Sequence, residues 1–98
     1  MPKINLDQVL VDLKGGDIME DKEPLTLAKV CSGALSVPIE EDKNLDPGKA
    51  IGRWRLAVRL HAGGEQELSP EEVTQLRARL PKIYLSAIIS GQAASMLE

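Results

Sequence analysis

Residues 46–73 read Asp46-Pro47-Gly48-Lys49-Ala50-Ile51-Gly52-Arg53-Trp54-Arg55-Leu56-Ala57-Val58-Arg59-Leu60-His61-Ala62-Gly63-Gly64-Glu65-Gln66-Glu67-Leu68-Ser69-Pro70-Glu71-Glu72-Val73. That run spells one helix, its stop, and the start of another. Asp46 is a favoured N-cap, and Pro47 suits the first helical position, where its missing N–H would be unpaired anyway. Ala50, Trp54, Ala57, Val58 and His61 form one stripe, with Ile51 and Leu60 at its margins, so this face is expected to meet the core. Gly63-Gly64 ends the helix, because glycine tolerates the left-handed conformation of a C-terminal cap. Ser69-Pro70-Glu71-Glu72 is a capping box, with Leu68 and Val73 at the spacing of a hydrophobic staple. The helix it opens carries Val73, Leu76 and Leu80 inward. Its late Arg77 and Arg79 suit the negative end of the helix dipole.

Upstream, Val9, Val11 and Leu13 alternate with Leu10 and Asp12. Lys14-Gly15-Gly16-Asp17 supplies turn chemistry and Ile18-Met19 a return strand, so a short hairpin is expected. Thr26 can cap a helix whose inner face is Leu27, Val30, Cys31 and Ala34. Residues 36–45 read as a loop around Pro38. Downstream, Pro81 is expected to break or kink the path. Residues 83–97 then form a last helix, apolar over much of its circumference, which is either central or covered by two partners. The fold class expected is α+β, mainly α: a short N-terminal β-hairpin and about four helices in a small bundle. The 98 residues are expected to make one domain, with 1–24 as a hairpin arm and 26–98 as a helical body.

Composition excludes several functions. A chain of 10.6 kDa buries roughly 64% of its unfolded surface, enough for a core without staples. The single Cys allows no internal disulfide and no cysteine-based zinc site. No apolar run approaches the ~18 residues of a membrane span, and no secretory signal opens the chain, so a cytoplasmic setting is expected. The net charge is −3, with residues 1–49 at −4 and residues 50–98 at +1. A negative domain with one Trp, one Tyr and no Phe has little with which to hold phosphates or stack on bases.

Candidate chemistry is thin. Cys31 and His61 could form a thiol–imidazole dyad, but Cys31 on a helix stripe reads more simply as a small buried hydrophobe. Glu20-Asp21-Glu23 and Glu40-Glu41-Asp42 lack the ligand alternation and glycine turn of a calcium loop and read as solvated runs. No metal, cofactor or catalytic residue is expected, and the chain does not read as an enzyme. Two surfaces carry functional colour. Arg53, Arg55, Arg59, Arg77, Arg79 and Lys82 cluster on two successive helices; packed antiparallel, these helices would offer an anion or nucleic-acid surface. Tyr84, Ile88, Gly91, Gln92 and Ser95 line one side of the last helix, where small residues would let a partner helix come close.

Pro24-Leu25-Thr26-Leu27, Arg53-Trp54-Arg55-Leu56-Ala57, Glu67-Leu68-Ser69-Pro70-Glu71-Glu72-Val73 and the ending Ile89-Ser90-Gly91-Gln92-Ala93 with Leu97-Glu98 together resemble a group of small proteins encoded by tailed phages and prophages. The likeness lies in the order of segments over nearly the whole chain. It implies phage origin, expression inside a bacterial cell and a small accessory role, with no catalytic residues to carry over. Arg53, Arg55 and Arg59 depart from the more evenly hydrophobic helix of that group. The function expected is protein–protein interaction, with itself or a phage structural protein, such as a head or tail assembly factor. The alternative is a small regulator that touches nucleic acid, or a host protein that binds it, through the arginines.

Overall fold

A computed structural model describes residues 3–20, 22–37 and 43–97. The elements run β1 (Lys3–Asn5), β2 (Met19–Glu20), β3 (Glu23–Pro24), α1 (Leu27–Ser36), α2 (Pro47–His61), β4 (Glu65–Glu67), α3 (Pro70–Ile83) and α4 (Ala87–Met96). The fold is α+β and mainly α, as the pattern predicts. Pro38 and the Glu40-Glu41-Asp42 run lie outside the described residues.

α1 is the central helix. It packs against α2, α3 and α4, and Leu27, Ala28, Val30, Cys31, Ala34 and Leu35 are all buried. A buried helix must find partners for the backbone groups its own turns leave open. At the front of α1 the amides of Leu27 and Ala28 donate to the carbonyls of Gln8 (2.8 Å) and Leu6 (2.9 Å). The Lys29 amide donates to Thr26 Oγ1 at 3.3 Å, so Thr26 is the cap its position promised. At the rear, Arg79 reaches across from α3. Its Nε donates to the Ala34 carbonyl (2.6 Å) and its Nη2 to the Val37 carbonyl (2.9 Å). Arg79 is only 5% exposed.

α2 begins as expected, with the Asp46 carboxylate accepting from the Lys49 amide. The face it buries is a correction. Leu56, Ala57 and Leu60 turn inward, whereas Trp54 is 65% exposed and Ile51 and Val58 about half exposed. Two leucines one turn apart with Ala57 beside them let α2 lie close on α1. A row led by the Trp54 indole would hold the helices apart. Gly63 and Gly64 end the helix region with φ near +77° and +76°, and the Asp7 carboxylate accepts the Gly64 amide at 3.0 Å.

Those two glycines lead into β4, which pairs antiparallel with β1, placing Lys3 opposite Glu67 and Ile4 opposite Gln66. The sequence pattern did not predict this pairing. The expected turn at residues 14–17 does form: Asp12 Oδ1 accepts the amides of Lys14 and Gly16, and Gly15 takes φ +85°. The pairing beyond it differs from the expected hairpin. Val11 and Asp17 make a single bridge, and the short ladder is β2 with β3, turned through Lys22 at φ +68°. Three segments then close on one another. Leu10 N–H donates to Leu25 O, Leu25 N–H to Ile18 O, and Ile18 N–H to Leu10 O, at 2.7–2.9 Å. Ile4, Leu6, Leu10 and Leu25 from this region join the same buried cluster as the helices.

α3 opens with the full capping box. Ser69 N–H donates to Glu72 Oε1 at 2.8 Å, and Glu72 N–H to Ser69 Oγ at 3.1 Å. Pro81 does not break it. The helix runs to Ile83, and the Tyr84 amide still reaches the Leu80 carbonyl at 2.8 Å. Pro81 lacks the N–H that would reach the Arg77 carbonyl, yet the helix continues past it and closes beyond it. α4 therefore starts at Ala87 rather than 83. It packs against both α1 and α3, so it has two helix partners, as its apolar circumference suggested; Ala93 is its one fully buried residue, while Ile89, Ala94 and Met96 lean on the core.

Replacing Arg79 tests the rear seal of α1. Arg79→Met keeps the length but strands two carbonyls, and should cost about 2–4 kcal/mol of unfolding free energy. Arg79→Lys should recover less than half, since a single ammonium lacks the planar fork that spans both acceptors. Urea denaturation followed by far-UV circular dichroism measures both.

Candidate functional site

Between α1 and α2 lies an open cleft of about 600 Å³, lined also by Tyr84 and Glu20. α1 contributes Lys29, Ser32, Gly33 and Ser36; α2 contributes Trp54, Ala57, Val58 and His61. Gly33 is required here. A Cβ at that position would collide with the Tyr84 hydroxyl, so the bare backbone of α1 is what lets the phenol lie across it. Burial raises the Tyr84 hydroxyl above its ordinary pKa, and the nearby Glu20 charge pushes the same way.

His61 Nδ1 lies 3.4 Å from Ser32 Oγ. The Ser32 hydroxyl has one proton and two acceptors in reach: the Lys29 carbonyl at 3.1 Å and, in the tautomer that leaves Nδ1 bare, His61. With the proton on the Lys29 carbonyl, His61 Nδ1–H donates to the Ser32 oxygen. The structure does not assemble the Cys31–His61 dyad. Cys31 is fully buried on the inner side of α1, while His61 is exposed in the cleft. Burial pushes the Cys31 thiol from its ordinary 9.0 up to about 12. Among the described residues no group of three or more metal-ligating side chains gathers; Asp21 of the first acidic run lies outside them.

The six basic residues do not present one outward patch. Arg79 is withdrawn into the core as the seal of α1, which corrects its assignment to an anion surface. Arg59 Nη2 pairs with Glu72 Oε2 at 3.0 Å, tying α2 to the start of α3. Glu72 responds to both neighbours: its partial burial would raise its carboxyl pKa, but the Ser69 amide and the Arg59 guanidinium outweigh that and hold it low. Arg53, Arg55, Arg77 and Lys82 lie on α2 and α3, which pack chiefly on α1 and α4 rather than on each other.

The α4 face is reduced in a similar way. Gln92 is an internal tie: its Oε1 accepts the Val11 amide and its Nε2 donates to the Val11 carbonyl, both at 2.9 Å. Tyr84 belongs to the cleft. Ile88, Gly91 and Ser95 remain exposed, beside Leu85 at 89%. What sequence reasoning missed is the cleft itself and the outward side of α2. The signal was present in Ile51, Trp54 and Val58, three, then four residues apart, which form a second apolar row on the side of the helix opposite Leu56 and Leu60.

No protein-family model matches this chain, and neither a curated protein nor a solved structure matches it. Among the described residues no helix is long and apolar enough to cross a membrane.

Two measurements check this geometry. Gly33→Ala should destabilise the wild type by about 1 kcal/mol, because Tyr84 must move. In a Tyr84→Ala background it should instead stabilise by up to ~1 kcal/mol, the ordinary helix preference of Ala over Gly. A change of sign across that cycle is the expected result. Cys31 should resist a thiol reagent at pH 8 until the chain is unfolded. The folded state holds its proton more tightly, so the stabilisation is complete below pH 9. It should fall by roughly 1.4 kcal/mol per pH unit as pH rises from 9 toward 12. Comparison with Cys31→Ala isolates that slope.

Proposed function

We propose that this chain is a non-catalytic docking protein that binds another polypeptide through the outward side of α2. One observation carries the reading. The only tryptophan stands 65% exposed between exposed Ile51 and Val58, on a helix whose inward face is already filled. Tryptophan supplies a large rigid contact area and is enriched among the residues that dominate interface energies. The buried Cys31 thiol, its proton held tightly, argues against nucleophilic chemistry by that residue. The exposed residues Leu85, Ile88, Gly91 and Ser95 on and before α4 support a second, smaller contact surface. The order of segments that resembles small phage and prophage proteins supports a role in assembling a larger phage component.

Trp54→Glu tests the proposal. The ring is largely in water, so folding free energy should change by less than about 0.5 kcal/mol. Partners retained by the wild-type chain from a lysate should be lost, with an affinity drop of at least about thirtyfold for a purified partner. Equal retention by the two proteins would refute the α2 surface.

A further inference from the structure

We infer that the cleft between α1 and α2 receives a basic side chain, an arginine or lysine, presented by the polypeptide that docks on Trp54. This rests on the docking reading above and names what the partner must carry. Aromatic rings are scarce in this chain, with one Trp, one Tyr, one His and no Phe. All three line the same cleft, whereas the largest fully buried side chains are leucines, Val30 and Cys31. The core is built without aromatics, and the few present are gathered where solvent reaches them.

The charge balance selects the ligand. Two formally charged residues line the cleft, Glu20 and Lys29. The Lys29 ammonium is already held by Glu23 Oε2 at 3.0 Å and by the Pro24 carbonyl at 3.2 Å. Glu20 has no ion pair among the described residues. The cleft therefore keeps an uncompensated carboxylate next to Tyr84. Tyr84 and Trp54, which line the same cleft, bring two rings whose faces attract a guanidinium or ammonium and disfavour an anion. Ala57, Val58 and the bare backbone of Gly33 offer an apolar bed for the methylene stem of such a side chain. A purely aliphatic side chain would fill the bed and leave Glu20 facing it unpaired.

The test uses the full chain, labelled for NMR, and four capped amino acids as probes: N-acetyl methylamides of arginine, lysine, norleucine and glutamate. Arginine and lysine should give saturable shifts at the amides of residues 29–36 and 57–61 and at the Trp54 indole. Norleucine should bind at least about fivefold more weakly, and glutamate should give no saturable shift. Glu20→Gln, on an exposed position that leaves the core intact, should weaken arginine by a similar factor. Equal binding of norleucine and arginine, an unchanged arginine affinity in Glu20→Gln, or no saturable shift in the cleft would overturn the assignment. If Trp54→Glu still abolishes partner retention in that event, the docking surface stands and only the basic side chain is removed.

Discussion

A short helix at the centre of a small protein cannot satisfy its own ends, and this fold is arranged around that constraint. α1 spans Leu27–Ser36, with most of its residues buried. Its first amides and last carbonyls have no partner inside the helix and little water to turn to. The front is closed by Thr26 and by the carbonyls of Leu6 and Gln8. The rear is closed by the Arg79 guanidinium. These contacts set where the N-terminal segment and α3 must lie. The N-terminal segment runs across the start of α1 because its carbonyls are needed there. α3 is held at the angle that carries Arg79 to Ala34 and Val37.

Burying one arginine to seal a helix has a consequence for the charge pattern. The second half of the chain looks basic in sequence, yet Arg79 is spent in the interior and Arg59 is neutralised by Glu72. What the sequence shows as an arginine cluster is in part a set of internal ties. Gln92 follows the same logic at the other edge. It looks like part of a small-residue docking stripe, but its amide grips both backbone groups of Val11 and pins α4 to the N-terminal turn.

How much was legible follows from the range of each interaction. Asp46-Pro47, Thr26 and Ser69-Pro70-Glu71-Glu72 act within four residues, and each helix starts where those residues place it. The turn built by Asp12 and Gly15 is equally local. The β1–β4 pairing joins Lys3 to Glu67 across most of the chain, and neither strand announces itself, since each has three residues and mostly exposed side chains. The break expected at Pro81 does not occur: the helix runs on to Ile83 and closes through the Tyr84 amide on the Leu80 carbonyl. The inward face of α2 was misjudged because hydrophobicity alone favours burying Trp54. Helix packing also weighs bulk, and the Leu56–Leu60 row with Ala57 permits the closer approach.

That choice of face links the fold to its proposed use. Once α2 turns Leu56 and Leu60 toward α1, Ile51, Trp54 and Val58 must face outward, because the two rows lie on different sides of the same helix. The same rotation brings Ala57, Val58 and His61 to the mouth of a cleft whose far wall is the polar side of α1. Gly33, which weakens a helix in isolation, is kept at the one point where Tyr84 has to cross it. A residue larger than glycine would push the phenol off α1 and reshape the cleft it lines. The packing requirement of the core and the shape of the exposed surface are therefore one decision, made by the rotation of α2 about its own axis.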